Sequence, residues 1–351
     1  MQSSPDMTTL AGQHDCLLCD LDGTLFRGAE PTVGAIDTLA AVDARIFFVT
    51  NNASRGAAEV AEHLREIGFT AKPDDVVTSA QTAAHLLAAE LAADSAVLVV
   101  GTDALAAEVA AVGLHPVRRW SDAPVAVVQG HSPHTCWSDL AEAALAIRGG
   151  ALWLAANVDV TLPTERGLLP GNGAMVAALR AATEHEPRVA GKPQPTVFRD
   201  ALGRGEFHSP LAIGDRLNTD IAGANAAELP SLMVLTGAST AEDAVFAPVH
   251  ERPTYIANDL RALGDAPDRL RVAPQSAWRV VADRAEITVT AAHDTAEDDG
   301  LSVLRAIADA VWGKSEHPAR RQVVAGDDAA GEALRRAVAA GVLKSDSVNL
   351  S

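Results

Sequence analysis

Short apolar runs alternate with longer segments of helical periodicity along most of the chain, and the runs stop against small polar residues. Cys16 to Cys19 is such a run, too short for a helix and bounded by Asp15 and Asp20. Val33 to Val42 then carries apolar residues at helical spacing, and Arg45 to Thr50 is rich in β-formers. A helix is expected from a cap near Ser54 through Ala57 to Ile67. Strand, helix, strand, helix in this order predicts right-handed crossovers, parallel strands and carboxyl ends on one edge. The same design returns later. Arg188 and Val189 open a short strand-like segment that runs into a rigid loop at Gly191-Lys192-Pro193, and Leu211 to Gly214 precedes a helix expected from Thr219 to Ala226.

Between these two parts the alternation continues on its own account. Strand-like runs at Ala96 to Val100, Val125 to Val128 and Ala151 to Ala156 intersperse with helix-like runs at Ala104 to Val112, Ser138 to Ile147 and Ala174 to Ala182. Such repeats with short links predict a second α/β domain, placed at residues 80–184, inside a first one made of residues 1–79 and 185–264. Beyond it, residues 265–351 show β-branched, partly alternating character from Ser276, then helix-like Gly300 to Trp312 and Ala329 to Val342 around Gln322 to Ala325. The fold class is α/β throughout, with this last part a compact accessory module.

Composition narrows the partners. The chain has 351 residues, 48% hydrophobic and 21% charged, which is a globular balance. With 46 acids against 28 bases the formal charge is −18, a surface that repels nucleic acid and anionic membranes. A site for an anion must therefore bring its own positive charge. No apolar run approaches the roughly 20 residues of a membrane helix, and Met1 to Gln13 is polar without an apolar leader core. A cytoplasmic protein with no membrane or nucleic-acid partner is expected. Three cysteines make no disulfide framework. Cys16 and Cys19 have the spacing of a redox pair or half a zinc site, yet both lie inside the apolar run, so they read as buried strand residues. His131 and His134 lack a third nearby ligand and read as loop residues.

Chemistry concentrates where the runs end. Asp20 and Asp22 follow the first strand, and two acids there are costly unless a cation or a reaction uses them. A turn or helix cap is the plain alternative. Thr50-Asn51-Asn52 offers a hydroxyl and backbone N–H groups near a helix start, either a phosphate cradle or a cap. Lys192 alone would be a surface charge, and Thr219 and Asp220 alone would be caps. Taken together, these stretches stand in the order D-x-D-G-T-L, T-N-N, G-K-P and G-D-x-x-x-T-D, each after a strand-like run.

In that order the four stretches resemble the haloacid-dehalogenase superfamily over roughly residues 14–262. The resemblance implies a Rossmann-like core with a parallel sheet and phosphoryl chemistry, because members that cleave carbon–halogen bonds lack the second acid, here Asp22. It implies that Asp20 is the nucleophile, forming an aspartyl-phosphate, and that Asp22 is the general acid and base. Mg²⁺ would be held by Asp20, the backbone carbonyl of Asp22 and Asp215, hard oxygen ligands that leave room for water and phosphate. Thr50 with the N–H groups of Asn51 and Asn52 would bind the phosphoryl group, and Lys192 would neutralise it together with Asp20. Asp220 would orient Lys192 or metal-bound water from behind, with Thr24 in the same supporting layer.

The intervals add to this. About thirty residues separate Asp20 from Thr50, too few for an inserted lid, which speaks against a phosphomutase. About 140 separate Asn52 from Lys192, which is similar to the class IIA branch with its large α/β cap. The stretches Ala155 to Gly167 and Pro170 to Ala174 are especially like that branch, and the first implies a cap loop that selects the leaving group. Asn157, Asp159, Thr161 and Glu165 are the specificity candidates; a turn built from Asn, Asp, Pro and Gly is the alternative. A small phosphorylated metabolite is the expected partner, and self-association through the cap is expected. Among capped members with an added C-terminal segment, the resemblance points to glycerol 3-phosphate. Pyridoxal phosphate, phosphoglycolate and nucleoside monophosphates are the alternatives, and a catalytically silent binding protein is the alternative of another class. The C-terminal β–α–β–α order is faintly similar to a GCN5-related acetyltransferase, but the coenzyme A loop Q/R-x-x-G-x-G/A is not matched. That argues against acetyl transfer and for an accessory, oligomerising role.

Overall fold

The computed structural model describes residues 8–164, 166–292 and 300–349, and the chain divides into two compact units. One comprises Met1–Ile46 and Phe207–Ser351, the other Phe47–Glu206. The segments carrying Thr50 and Lys192 both fall in the second of these units.

In the first unit, strands Tyr255–Ala257, Ser231–Val234, Pro210–Gly214 and Cys16–Cys19 lie side by side in that order, all parallel. Cys16–Cys19 and Ser231–Val234 are buried at every residue, as strands covered on both faces should be. The register pairs Cys19 with Ile213, so Asp20 and Asp215 leave the sheet as neighbours at the carboxyl edge. Neighbouring strands lie about 4.8 Å apart, and that spacing brings the two acids together. Cys16 and Cys19 are free and buried as read, and burial pushes the Cys16 thiol up to about 12. Neither a redox pair nor a metal site suits them.

The expected helix from Thr219 starts earlier and differently. Leu217–Ile221 forms a π turn before the α-helix Ala222–Ala226. The Ile221 N–H reaches back to the Arg216 carbonyl at 3.1 Å, and the Arg216 N–H donates to Asp220 Oδ2 at 3.0 Å. A side chain thus holds the turn open where a plain cap was the simple reading.

The C-terminal residues belong to this same unit. Strand Trp278–Ala282 is antiparallel to Glu286–Ala291, which is parallel to Gln322–Ala325, in turn parallel to Val348–Asn349. Helices Ser302–Trp312 and Asp328–Ala339 complete the module. Its Leu304, Ile307 and Val311 share one apolar core with Met233, Ala244, Val245 and Ile256. Arg305, 1% exposed, sits in that core and donates from Nε and Nη2 to the Ile256 carbonyl at 3.0 and 2.6 Å.

The second unit is built on a five-stranded parallel sheet in the order Arg188–Val189, Leu152–Ala155, Ala126–Gln129, Ala96–Val100, His115–Val117. Alternation sends Val97, Val99 and Leu154 to one face and Leu98, Val100 and Trp153 to the other. Helices Ser79–Glu90 and Asp103–Ala111 cover the first face; Trp137–Arg148 and Asn172–Thr183 cover the second. Their alanines allow close approach, and the Thr78 and Gln81 side chains close a reciprocal cap on the Ser79–Glu90 helix. Strand Val76–Thr78 runs parallel to the Phe48 to Thr50 end of Arg45–Thr50. The next helix is Ala57–Glu66, three residues past the expected cap, because the Ser54 N–H and hydroxyl both turn to Asn52 Oδ1 at 2.7 and 2.8 Å.

Candidate active site

Three carboxylates converge at the carboxyl edge of the first unit's sheet. One oxygen each of Asp20, Asp215 and Asp220 lie within 4.8 Å of one another, the single such metal-competent group among the described residues. Asp215 and Asp220 are 1% and 3% exposed, and Asp20 is half-buried. Like charges at that range in a poorly solvated place repel strongly, so the arrangement calls for a cation. The donors are hard oxygens, which suit Mg²⁺. Asp220, expected to support the site from behind, brings one carboxylate oxygen into this group.

Local structure fixes these groups in place. The Asp20 N–H donates to the Ile213 carbonyl at 2.9 Å, and Gly23, at φ +86°, turns the chain sharply after Asp22. Thr24 is fully buried and its hydroxyl donates to Asp215 Oδ1 at 3.3 Å. Asp22 is exposed and its side chain stands outside the carboxylate group. Behind Asp215 lies the loop Gly237-Ala238-Ser239, which sequence reasoning missed. The Ala238 N–H donates to Asp215 Oδ2 at 2.6 Å, and a Cβ on Gly237 would come within 1.9 Å of that oxygen. Its signal was there: Thr236-Gly237-Ala238-Ser239 is a run of small residues, two of them hydroxylic, just after the buried strand Ser231–Val234.

The second unit carries the other expected residues, and Asn51 organises them. Its Oδ1 accepts the Lys192 N–H at 2.8 Å, while its Nδ2 donates to the Lys192 carbonyl at 3.1 Å and to Asp159 at 3.3 Å. Its backbone carbonyl accepts from Asn157 Nδ2 at 2.7 Å and from the Ser79 hydroxyl at 2.6 Å. Lys192 is only 2% exposed, so it is no surface lysine, and its Nζ donates to the Val49 carbonyl at 3.2 Å. Buried Thr50 accepts the Asn52 N–H on its hydroxyl at 3.1 Å. Gly191 allows this packing, since a Cβ there would lie 2.5 Å from Asn51 Oδ1.

The four specificity candidates separate. Asn157 is buried and its oxygen accepts the Asp159 N–H at 3.3 Å, so it braces the loop. Asn172, also buried, donates to the Asn157 carbonyl at 2.7 Å and was not singled out. Asp159 is partly exposed, Thr161 is exposed, and Glu165 lies outside the described residues. Within the stretch read as a cap loop or, alternatively, a turn, Thr161–Thr164 pairs antiparallel with Gly167–Pro170 as a hairpin. Burial lowers the His131 imidazole, and neither it nor His134 joins a group of ligands among the described residues.

A haloacid dehalogenase-like hydrolase model matches residues 17–115, and a second, HAD-hydrolase-like model matches residues 189–263. D-glycerol 3-phosphate phosphatase of Mycobacterium tuberculosis is 60% identical over 337 residues, covering 94% of this chain and 96% of that protein. The chain belongs to the haloacid dehalogenase-like hydrolases. Within that family, an acid sugar phosphatase of Staphylococcus aureus is 36% identical over 253 residues, 71% of this chain and 96% of its own. The crystal structure of the M. tuberculosis glycerol phosphate phosphatase in complex with magnesium superposes with a TM-score of 0.89 at 61% identity, covering 93% of this chain and 98% of that one. A GCN5-related N-acetyltransferase-like domain model matches residues 275–338, the C-terminal module. Among the described residues, no helix is long and apolar enough to cross a membrane.

Proposed function

We propose that this protein is a Mg²⁺-dependent phosphatase that hydrolyses glycerol 3-phosphate to glycerol and phosphate through an aspartyl-phosphate on Asp20. The observation that carries this reading is the convergence of Asp20, Asp215 and Asp220 at a strand edge, two of them almost fully buried. Sequence likeness to a D-glycerol 3-phosphate phosphatase over 94% of the chain supports the substrate.

Asp20, Asp215 and Asp220, with the backbone carbonyl of Asp22, would hold Mg²⁺, which supplies positive charge against the phosphoryl oxygens and the attacking carboxylate when bound. In the first step an Asp20 carboxylate oxygen attacks phosphorus. The phosphorus–alkoxide bond breaks, and Asp22 donates its proton to the departing alkoxide, giving glycerol. In the second step Asp22 takes a proton from water as that water attacks phosphorus. Inorganic phosphate leaves and the Asp20 carboxylate is restored. The exposure of Asp22, outside the carboxylate group, suits a residue that exchanges protons with substrate and water. Thr50, the Asn51 and Asn52 N–H groups and Lys192 are assigned to the phosphoryl group. Lys192 is held from both its N–H and its carbonyl by one side chain, and its position is therefore set before substrate arrives.

Residues 80–184 serve as the cap in this reading. Asn157 has its amide engaged with the Asn51 carbonyl, which leaves Asp159, Thr161 and Glu165 as the candidates to select the leaving group. Self-association through the cap and action in the cytoplasm complete the proposal.

An Asp20→Asn protein tests the chemistry: glycerol 3-phosphate turnover with Mg²⁺ present should be abolished, and survival of full activity would sink the mechanism. A panel of phosphorylated metabolites tests the substrate. Comparable rates on every compound would remove glycerol 3-phosphate as the specific partner and leave the chemistry standing.

A further inference from the structure

The loop that grips Asp215 is tied to the C-terminal module through an unbroken series of polar contacts. Gly237-Ala238-Ser239 holds Asp215 by the Ala238 N–H on Oδ2 at 2.6 Å and the Ser239 N–H on the backbone carbonyl at 3.2 Å. Thr240 follows at once and caps the helix Ala241–Val245. Its N–H and hydroxyl donate to Asp243 Oδ2 at 3.0 and 2.7 Å, and its hydroxyl accepts the Asp243 N–H at 3.2 Å. On the far side, Arg320 of the module donates to Asp243 Oδ1 at 2.6 Å and also pairs with Glu242.

Glu242 lies at the centre of this joint. It is 1% exposed, and its carboxylate accepts from three groups of the module: Arg320, the Ser347 hydroxyl at 3.0 Å and the Lys344 N–H at 3.2 Å. A carboxylate so buried needs a cation beside it, and removing that cation leaves an uncompensated charge that must reorganise its surroundings. The nearest thing to reorganise is the short helix that starts directly after the Asp215 loop. Apolar packing closes the remaining freedom, since Ala241, Ala244 and Val245 share a core with Val303, Leu304 and Ile307 of the module.

We propose that the C-terminal module is a positioning element for the Asp215 carboxylate, and that Arg320, through Glu242 and Asp243, is the residue by which it acts. The inference rests on Asp215 being a Mg²⁺ ligand. Mg²⁺ demands near-octahedral oxygen geometry, so a small displacement of one carboxylate weakens binding sharply. Acetyl-group chemistry is not needed to explain why a GCN5-related shape is fused to this hydrolase.

The test is Mg²⁺ titration calorimetry on the full-length protein without substrate, alongside kcat and KM at varied Mg²⁺. Arg320→Met should weaken Mg²⁺ binding by about tenfold, the lower end of the effect of lost supporting contacts at metal sites, with kcat recovered at saturating Mg²⁺. Arg320→Lys keeps the charge but not the two-pronged contact with Glu242 and Asp243, so its affinity should fall between those of the wild type and Arg320→Met; an affinity below that of Arg320→Met would show that the charge plays no part and overturn the role given to Arg320. Ser347→Ala, a milder change, should shift affinity the same way by less. A folded Arg320→Met protein that binds Mg²⁺ like the wild type overturns the proposal. Should that variant not fold, unchanged affinity in Ser347→Ala overturns it. A wild-type protein that binds no Mg²⁺ at all removes the cation reading itself, and is distinguishable on that ground.

Discussion

Gly237 stands so close to Asp215 that a Cβ on it would lie 1.9 Å from Oδ2 and 2.2 Å from Cγ. No side chain fits there without moving the carboxylate or the loop. Gly237→Ala should raise the Mg²⁺ concentration needed for half-maximal activity by about tenfold or more, as lost orientation of a ligand does. Gly264→Ala is the control: nothing lies within 4 Å of a Cβ there, and its Mg²⁺ dependence should match the wild type.

Asn51 joins distant parts of the second unit's chain, bonding the Lys192 backbone twice across 141 residues and both Asp159 carboxylate oxygens across 108. Asn51→Ala leaves the Lys192 N–H and carbonyl to find other partners. It should cost about 1–3 kcal/mol in urea unfolding and raise KM for glycerol 3-phosphate as Lys192 loosens. A variant with wild-type KM would show that Lys192 is held by other means.

The pair His85 and Asp200 makes the stability of the second unit depend on pH. Hydrogen bonding to Asp200 raises the His85 imidazole above 6.5, against the effect of burial. For Asp200, burial pushes upward, but the bonds from His85 and Thr82 outweigh it and hold the carboxyl below 3.8. The His85 contribution is complete below 6.5 and fades as pH rises through its raised value. The Asp200 contribution is complete above 3.8 and fades as pH falls through its lowered value. Because His85 is well exposed, the pair is worth less than about 1 kcal/mol. His85→Ala should therefore lower unfolding stability near pH 5.5 and have little effect near pH 9. Equal losses at both would assign the effect to packing.

Arg305 donates twice to the Ile256 carbonyl from inside the core that the module shares with the sheet. Arg305→Ala empties a large buried side chain and should destabilise the first unit by about 3–5 kcal/mol. Denaturant unfolding would read this as an earlier transition at unchanged slope. A loss below about 1 kcal/mol, the scale of an ordinary surface change, would mean the module is only loosely joined to the sheet.

Much of this protein is legible in its residues. Ala96–Val100 is a strand with the expected limits because five apolar, largely β-branched residues between polar ends are too short for a helix. Asp20, Thr50, Lys192 and Asp215 announce themselves because each follows such a run, and strand ends in open α/β sheets are where ligands bind. The hairpin Thr161–Thr164 with Gly167–Pro170 was not legible, since its Pro, Thr and Gly carry the chemistry of a turn. Nor was the π turn at Leu217, which depends on the Asp220 side chain meeting the Arg216 N–H.

What the residues alone determined is where the polar groups at the strand ends fall, because strand, turn and cap preferences are local and recur in a short window. What only the tertiary structure decided is how those groups are held. Thr24 reaches Asp215 across 191 residues, Asn51 reaches Lys192 across 141, and Arg320 reaches Glu242 across 78. Such meetings follow from strand register and crossover, which one residue of slip would undo, and no local preference encodes them.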